Sequence, residues 1–270
     1  MEATDRLFAG NIPEVYDRLL VPLLFEPYAR DLAERVAKAK PQRILETAAG
    51  TGALTRALAS RLPAQARIVA TDLNQPMLDH GAANEPRDDR ITRQQADALA
   101  LPFEDQSFDA VACQFGVMFF PDKVQGYREA YRALRSGGHF FFNVWDEIAA
   151  NDFANLVTQT LPALFPKDPP DFMARTPHGY FDKERIREDL VAAGFGAVSI
   201  ETREEISRGA SARELAIAFC QGTPLRNEIE TRDPSRLEEA VEMVAGAFAH
   251  RYDDGPIAGR MRAHIVTAIR

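Results

Sequence analysis

The stretch RILETAAGTG, residues 43–52, joins a short apolar segment to a run of small residues. Ile44 and Leu45 lead to an acid, Glu46, and the small residues that follow are Ala48, Ala49, Gly50, Thr51 and Gly52. Residues 53–62, ALTRALASRL, then repeat leucine at every fourth position, which is the spacing of one helical face. The stretch therefore predicts a strand, a tight turn and a helix.

A turn of this kind can hold a ligand against its backbone. Its residues carry no side chain or a very small one, and the following helix directs free N–H groups toward the turn. A phosphate-binding loop would need a lysine after Gly52, which the chain lacks. A dinucleotide fingerprint would need glycine or alanine at the sixth position from Gly50, and that position is Thr55. The stretch matches neither fingerprint.

The same residues resemble motif I of the class I S-adenosylmethionine-dependent methyltransferases. That motif reads hydrophobic, hydrophobic, Asp or Glu, x, Gly, x, Gly, x, Gly, and only Ala48 departs from it by replacing the first glycine. The resemblance implies S-adenosyl-L-methionine as cofactor and S-adenosyl-L-homocysteine as product. It also implies cofactor contacts from Glu46 and from the five small residues of the turn.

A second acid follows one helix later, at the end of the apolar segment RIVATD. The two oxygens of this residue, Asp72, can accept both hydroxyls of a ribose, although a dehydrogenase would place an acid similarly. In the methyltransferase resemblance, Leu73 and Met77 would pack on the adenine. The residues after Asp72 are also explained by an ordinary helix start, since Pro76 favours one.

The segment ADALALPFEDQSFDAV, residues 96–111, carries the next landmarks. Four landmarks match the family in order and spacing: Asp97, Ala98, Leu-Pro-Phe and Ser-Phe-Asp. The resemblance implies that the carboxylate of Asp97 accepts a hydrogen bond from the adenine amino group. Gln114 and Phe115 are also assigned to the cofactor site. They replace the Asn/Asp-Pro-Pro-aromatic motif of enzymes that methylate base amines, and with no acid at Gln114 no metal site is predicted.

The resemblance runs from residue 43 to 145, since RALRSGGHFFF matches the family's segment before strand five. It implies an α/β fold, a three-layer Rossmann-like mixed sheet of seven strands in the order 3-2-1-4-5-7-6, with the last strand antiparallel. Periodicity places strand six at 196–202, strand seven at 261–269, and a helix at 123–135 that stops at Ser136-Gly137-Gly138.

We expect a single domain over 1–270 with three helical additions. Residues 1–40 predict a mobile start followed by a helical cover, which Pro22 and Pro27 would break into pieces. Tyr16 of this cover would either line the cofactor pocket or pack against the domain. Two insertions, 146–180 and about 207–259, would form a cap over the active site.

Composition narrows the class of protein. The 270 residues carry a net charge of −8, which offers no evident basic surface for nucleic acid, and two cysteines, which support no disulfide framework. We expect a cytoplasmic protein without a signal peptide. The longest apolar run, residues 110–121, is too short to span a membrane.

Methyl transfer mainly requires positioning of the acceptor, so a base is not obligatory. The candidate catalytic residues are His178, Tyr180 and Trp145, and a neutral histidine can act as a base near pH 7; His178 is equally explained as a turn residue. The insertions are rich in apolar side chains, which indicates either a pocket for a small, partly hydrophobic acceptor methylated at oxygen or carbon, or the surface of a homodimer.

Two other functions stay open on the sequence. A non-catalytic module would bind S-adenosylmethionine without turnover, and a nicotinamide-dependent dehydrogenase is disfavoured by Thr55 and by the Asp97 landmark.

Overall fold

One mixed sheet organises the computed structural model, which describes residues 3–8, 10–252 and 255–270. Its strands in the described chain are β1 (Arg43–Glu46), β2 (Arg67–Asp72), β3 (Ile91–Gln95), β4 (Phe108–Gln114), β5 (Leu134–Trp145), β6 (Ala197–Gly209) and β7 (Ile257–Ile269). They lie in the order β3-β2-β1-β4-β5-β7-β6. The first five pair in parallel, and β7 runs antiparallel to both of its neighbours. The predicted fold and strand order are confirmed.

Helices cover both faces of the sheet. They are α1 (Ile12–Val15), α2 (Glu26–Lys38), α3 (Ala53–Arg61), α4 (Gln75–Asn84), α5 (Lys123–Ala133), α6 (Asp152–Thr160), α7 (Phe172–Arg175), α8 (Lys183–Ala192), α9 (Ala212–Gln221), α10 (Leu225–Arg232) and α11 (Leu237–Tyr252). From α5, the ring of Tyr127 stacks on Phe142. From α2, the ring of Tyr28 meets Trp145 edge-on. Because residues an odd number apart on a strand face opposite sides, these two contacts lie on opposite faces of β5.

The N-terminal helices are less interrupted than expected. A π-helix, Tyr16–Phe25, joins α1 to α2, so helical turns run without a break from Ile12 to Lys38. Pro27 lies in the first turn of α2, where its missing N–H would have had no helical partner. Pro22 is accommodated inside the wider π turns. Neither proline breaks the helix, and the prediction of separate pieces was wrong.

Three boundaries differ from the sequence prediction. Helix α5 ends at Ala133, and Ser136-Gly137-Gly138 belongs to β5 beside a shift of register against β4. Strand β6 continues to Gly209 rather than Thr202, and β7 begins at Ile257. The segment between these two strands is therefore shorter than 207–259 at both ends. The extra length of β6 is rich in Glu and Arg, which an edge strand tolerates because one of its sides faces solvent.

The apolar residues of the first insertion pack within the chain. The buried ones include Phe153, Val157, Leu161, Leu164, Phe165, Phe172 and Met173. Ile148 and Leu156 are half-buried and pack against the same core. These side chains therefore face the interior, as core or as cavity wall, and they do not form the exposed apolar face that a dimer would need.

Candidate active site

The turn between β1 and α3 is built from backbone conformations that few residues adopt. Gly50 and Gly52 have φ of +58° and +92°, and Gly52 stands at the N-terminal cap of α3. Glycine occupies this left-handed region without steric penalty. The amide of Gly50 donates to Asp72 Oδ2 at 2.9 Å, which ties the turn to the end of β2. The resulting cradle presents backbone rather than side chains.

Ala48, the departure from the glycine motif, also has a left-handed φ of +52°. Its methyl group fits because residue 116 on the neighbouring segment is glycine. A Cβ added at Gly116 would collide with the Ala48 Cβ and would lie 2.7 Å from Cys113 Sγ. The alanine at the motif position and the glycine after β4 are therefore matched in size.

Asp72 organises the end of β2. It is buried, and its Oδ1 accepts from the amide of Asn74 at 2.8 Å while Oδ2 accepts from Gly50. Burial raises the pKa of its carboxyl group, against the lowering effect of these backbone donors. The carboxylate still has lone pairs for a ligand, because each oxygen can accept more than one hydrogen bond.

A cavity opens at the carboxyl ends of β1, β2 and β4 and encloses about 1100 Å³ of empty space, its open mouth included. Eleven of the predicted site residues line it: Tyr16, Ala48, Gly50, Asp72, Leu73, Met77, Asp97, Ala98, Gln114, Phe115 and Trp145. They come from six separate segments of the chain, and the fold brings them together. This is the position at which open α/β sheets bind ligands.

The far wall of the cavity is apolar and comes from the helical additions and from the segment that follows β4. Its side chains are Phe8, Leu20, Leu24, Phe25, Met118, Phe119, Phe120, Phe172, Met173 and Phe219. Among the described residues that line the cavity, Arg6 is the only basic one and Asp72 and Asp97 the only acids. The cavity thus has a polar end at the strand termini and an apolar end under the helices.

Two aromatic contacts shape the middle of the cavity. Phe115 has a left-handed φ of +49°, and its amide donates to Asn143 Oδ1 at 2.8 Å. Its ring stacks on Trp145 with centroids 3.9 Å apart. Tyr16 stacks on Phe25 at 5.0 Å, and burial raises the pKa of its hydroxyl, so that Tyr16 is neutral near pH 7. Gln114 donates to the Phe25 carbonyl at 2.8 Å and so ties β4 to the N-terminal helix.

Four residues of the predicted cofactor set do not line this cavity. Glu46 is buried and accepts from the hydroxyl of Thr55 at 2.6 Å, and burial raises the pKa of Glu46 to about 8. Ala49 donates to the Thr71 carbonyl at 2.9 Å. Thr51 donates to Asp17 and Gly52 caps α3. These four residues stabilise the turn through contacts with the rest of the domain and do not line the cavity.

The three candidate catalytic residues lie in three different places in the structure. Trp145 is part of the cavity wall. His178 lines a smaller adjoining cavity, and burial lowers the pKa of its imidazole to about 4, so that it is neutral near pH 7. Tyr180 lies elsewhere, where it donates to Asp189 at 2.8 Å and accepts from Tyr127 at 3.3 Å. Tyr180 is therefore a buried structural hydroxyl and not a wall of the main cavity.

Asp17 ties the π-helix to the turn between β1 and α3 and to α3 itself. Its Oδ1 accepts from Thr51 Oγ1 at 2.7 Å and from Arg56 at 3.3 Å, and its Oδ2 lies 3.5 Å from His80 Nε2. This residue was not predicted from the sequence, nor were Phe8 and Asn74, which line the cavity. For Asn74 the signal was its place two residues after Asp72. For Asp17 and Phe8 no local pattern marked the contact.

No cluster of three or more His, Cys, Asp or Glu side chains is arranged to hold a metal ion within residues 3–8, 10–252 and 255–270. In the same part of the chain, none of the helices has the length and apolar character needed to cross a bilayer.

Comparison with known proteins identifies the family. A family model described as a methyltransferase domain matches residues 45–142. A demethylmenaquinone methyltransferase of Clavibacter sepedonicus is 31% identical over 178 residues, which cover 60% of this chain and 69% of that protein. A ubiquinone/menaquinone biosynthesis C-methyltransferase UbiE of Geobacter sp. (strain M21) is 32% identical over 139 residues, 49% of this chain and 59% of that protein.

A solved structure shares the fold at low identity. Phosphoethanolamine N-methyltransferase 2 of Haemonchus contortus, in complex with phosphomonomethylethanolamine and S-adenosylhomocysteine, superposes with a TM-score of 0.60 and 19% identity, over 98% of this chain and 59% of that one. This likeness concerns the fold alone. The family model and the Clavibacter relative, of which this chain covers 69%, carry the assignment. The chain belongs to the class I S-adenosylmethionine-dependent methyltransferases.

Proposed function

We propose that this methyltransferase transfers the methyl group of S-adenosylmethionine to an oxygen or carbon atom of a small, partly hydrophobic acceptor, and that a phenol or hydroquinone is the acceptor class. The observation that carries the proposal is the division of the cavity into a polar end at the strand termini and an apolar, largely aromatic end under the helices. Apolar pockets with a few placed polar groups are typical of small-molecule sites.

The polar end fits the cofactor. Ala48, Gly50 and Ala98 leave room beside the backbone, and Asp72 offers a buried carboxylate at the end of β2. Asp97 adds a second carboxylate after β3. When bound, S-adenosylmethionine supplies a methyl group already activated by its sulfonium centre. The chain's own residues then have to orient the acceptor and keep water out.

Few groups in the cavity can remove a proton from the acceptor. Asp72 already accepts two backbone hydrogen bonds, and Asp97 accepts one from the Leu99 amide. Tyr16 is neutral because burial raises the pKa of its hydroxyl. An acceptor that ionises readily needs little help of this kind. Phenols and hydroquinones meet this requirement better than alkyl alcohols, and their rings match the aromatic wall.

The names of the relatives support the same class. The aligned proteins of Clavibacter and Geobacter are named for methylation in menaquinone and ubiquinone biosynthesis, and the second name specifies carbon as the methylated atom. The phosphoethanolamine substrate of the Haemonchus enzyme carries a phosphate. Here Arg6 is the only basic side chain among the described lining residues, which disfavours a phosphorylated acceptor.

We also propose that the helical additions act as the cap of this site. Each of them contributes to the apolar wall: Phe8 and Leu20 from residues 1–40, Met173 from 146–180, and Phe219 from the segment between β6 and β7. Closure of apolar side chains over the acceptor would exclude water from the reacting atoms.

The test is an assay of S-adenosylhomocysteine formation with two acceptors. The purified protein is incubated with S-adenosylmethionine and either 1,4-naphthohydroquinone, kept reduced, or phosphoethanolamine. We expect S-adenosylhomocysteine and a product heavier by one methylene only with the naphthohydroquinone, and NMR of that product distinguishes carbon from oxygen. Turnover of phosphoethanolamine alone would overturn the acceptor class. Tight cofactor binding without turnover of any aromatic acceptor would favour a binding module.

A further inference from the structure

A second, smaller cavity lies behind Trp145 and encloses about 320 Å³ of empty space, its opening to solvent included. It shares four apolar wall residues with the main cavity: Leu24, Trp145, Met173 and Phe219. We call it the side pocket. Methionine is unbranched and adapts readily to its surroundings, so Met173 offers little resistance to a ligand that extends from one cavity into the other.

His178 gives the side pocket a specific hydrogen-bond acceptor. Its Nδ1 lies 2.8 Å from the carbonyl oxygen of Asp146. Because a carbonyl only accepts, Nδ1 carries the proton and Nε2 carries a lone pair. No hydrogen-bond partner of Nε2 occurs among the described residues, and the side chain is buried. An acceptor that lines a cavity and has no protein partner favours a ligand that donates to it.

The other polar side chains of the side pocket are already engaged. Asn151 donates to the Glu147 carbonyl at 3.1 Å and accepts from the Arg262 amide at 2.9 Å. Ser207 donates to the Leu23 carbonyl at 2.8 Å. Arg260 also lines the side pocket and pairs with Asp152 at 3.6 Å, and its guanidinium group offers donors only. The remaining walls include Phe153 and Ala154, which are apolar. His178 Nε2 is therefore the acceptor most available to a ligand there.

The position of His178 argues against a role as the base for the methylated atom. Three rings follow one another from the cofactor end: Phe115 stacks on Trp145 at 3.9 Å, and Trp145 lies 5.9 Å from the His178 ring. Trp145 thus stands between His178 and the part of the cavity that holds the cofactor. A group at His178 is remote from the atom that receives the methyl.

We propose that the side pocket binds the distal end of an aromatic acceptor and that His178 Nε2 accepts a hydrogen bond from a hydroxyl group there. The inference rests on the proposed function, because it assumes an aromatic acceptor in the main cavity. It makes His178 a residue that determines which acceptor binds. A site built to pair with a substrate hydroxyl rejects analogues that lack it, because the buried acceptor is then left unpaired.

The test compares two probes that differ by one remote hydroxyl. The protein saturated with S-adenosylhomocysteine is titrated by calorimetry with 2,7-dihydroxynaphthalene and with 2-naphthol. We expect the diol to bind about threefold to tenfold more tightly, as one net hydrogen bond implies. His178→Phe should remove this preference. His178→Gln, whose amide oxygen reaches toward the position of Nε2, should keep most of it.

Equal affinity of the two probes for the wild-type protein would overturn the inference, and so would a preference that survives in His178→Phe. A second variant keeps the inference testable even if His178→Phe does not fold. Ala154→Leu fills the side pocket and should weaken diol binding while the affinity for S-adenosylhomocysteine stays unchanged; unchanged diol binding would also overturn the inference. Failure of the proposed function is distinguishable, because it would appear as absent S-adenosylhomocysteine binding or absent methylation of naphthohydroquinone.

Discussion

The carboxylate of Asp72 connects two loops, since it accepts from the amides of Gly50 and Asn74. We expect Asp72→Ala to weaken S-adenosylmethionine binding by roughly 1–3 kcal/mol, because charge-assisted hydrogen bonds to the ligand and to the turn are lost together. Calorimetric titration measures the change. Asp79→Ala, an exposed acid on α4, is the matched control and should bind normally. Unchanged affinity in Asp72→Ala would remove this residue from the cofactor site.

The fit between Ala48 and Gly116 predicts a coupled pair. Gly116→Ala would put a methyl group against Ala48 and Cys113, so we expect it to lower the free energy of unfolding by about 1–3 kcal/mol. Ala48→Gly in the same chain should restore part of that loss, because it removes the colliding methyl. Urea denaturation of both single variants and the double variant measures the coupling. Strictly additive effects would show that the two residues do not meet.

The buried carboxyl group of Glu46 predicts a dependence of stability on pH. Its pKa is about 8 in the folded protein against an ordinary value of 4.5, because burial disfavours the charged form. Between these two values the folded state holds a proton that the unfolded state has released. The stabilisation is therefore complete below about pH 4.5 and is lost as the pH rises toward 8, at most about 1.4 kcal/mol per pH unit.

Glu46→Gln should flatten this part of the pH profile, which urea denaturation between pH 5 and 8 would show. Thr55 donates a hydrogen bond to Glu46, the acid of the methyltransferase motif. The same residue occupies the position at which a dinucleotide-binding fingerprint would need glycine or alanine. A wild-type profile as flat as that of the variant would contradict the raised pKa of Glu46.

Residue types at the turn were predictable because the conformations are local: left-handed φ angles favour Gly50 and Gly52 at those positions. Which of the small residues face the cavity was not predictable. That depends on partners distant in the chain, such as Asp17 for Thr51 and Thr71 for Ala49. A sequence motif specifies the turn without specifying which side of it a ligand meets.

At the scale of elements, the π-helix over the cavity is held by Asp17. We expect Asp17→Ala to speed dissociation of S-adenosylhomocysteine about threefold to tenfold, because the helix then loses its hydrogen bonds to Thr51 and Arg56. Stopped-flow displacement measures the rate. Glu14→Ala, an exposed acid on α1, serves as the control. Equal dissociation rates in the two variants would mean that the π-helix does not limit release.

Helices and strands were predictable where the residue pattern was strong and local. They were not predictable where contacts with distant parts of the chain determine the secondary structure. The buried strands β1, β2 and β4 are short apolar runs with clear ends. The second half of β6 reads as a charged loop, and it is a strand because every residue from Ala197 to Gly209 has a partner on β7. Pro22 misled the prediction for the opposite reason, since a strong local breaker was overruled by the surrounding helix.

At the scale of the molecule, the strand order was predictable, because its landmarks keep their sequence order in the family. The make-up of the apolar end of the cavity was not predictable. Its wall combines Phe8, Met118, Met173 and Phe219, which lie far apart in the chain and share no motif. Apolar residues of this kind occur throughout any core. Only the packed structure shows which of them surround empty space.

The position of β7 in the sheet means that its two neighbouring strands are synthesised before it. It is the last strand along the chain, yet it lies between β5 and β6. A ribosome adding about 5–20 residues per second therefore completes both neighbours some seconds before the strand that joins them. In that interval β5 and β6 expose unpaired backbone to other nascent chains. The charged side chains of Glu201, Arg203 and Glu205 on β6 oppose such pairing until residues 257–269 leave the ribosome.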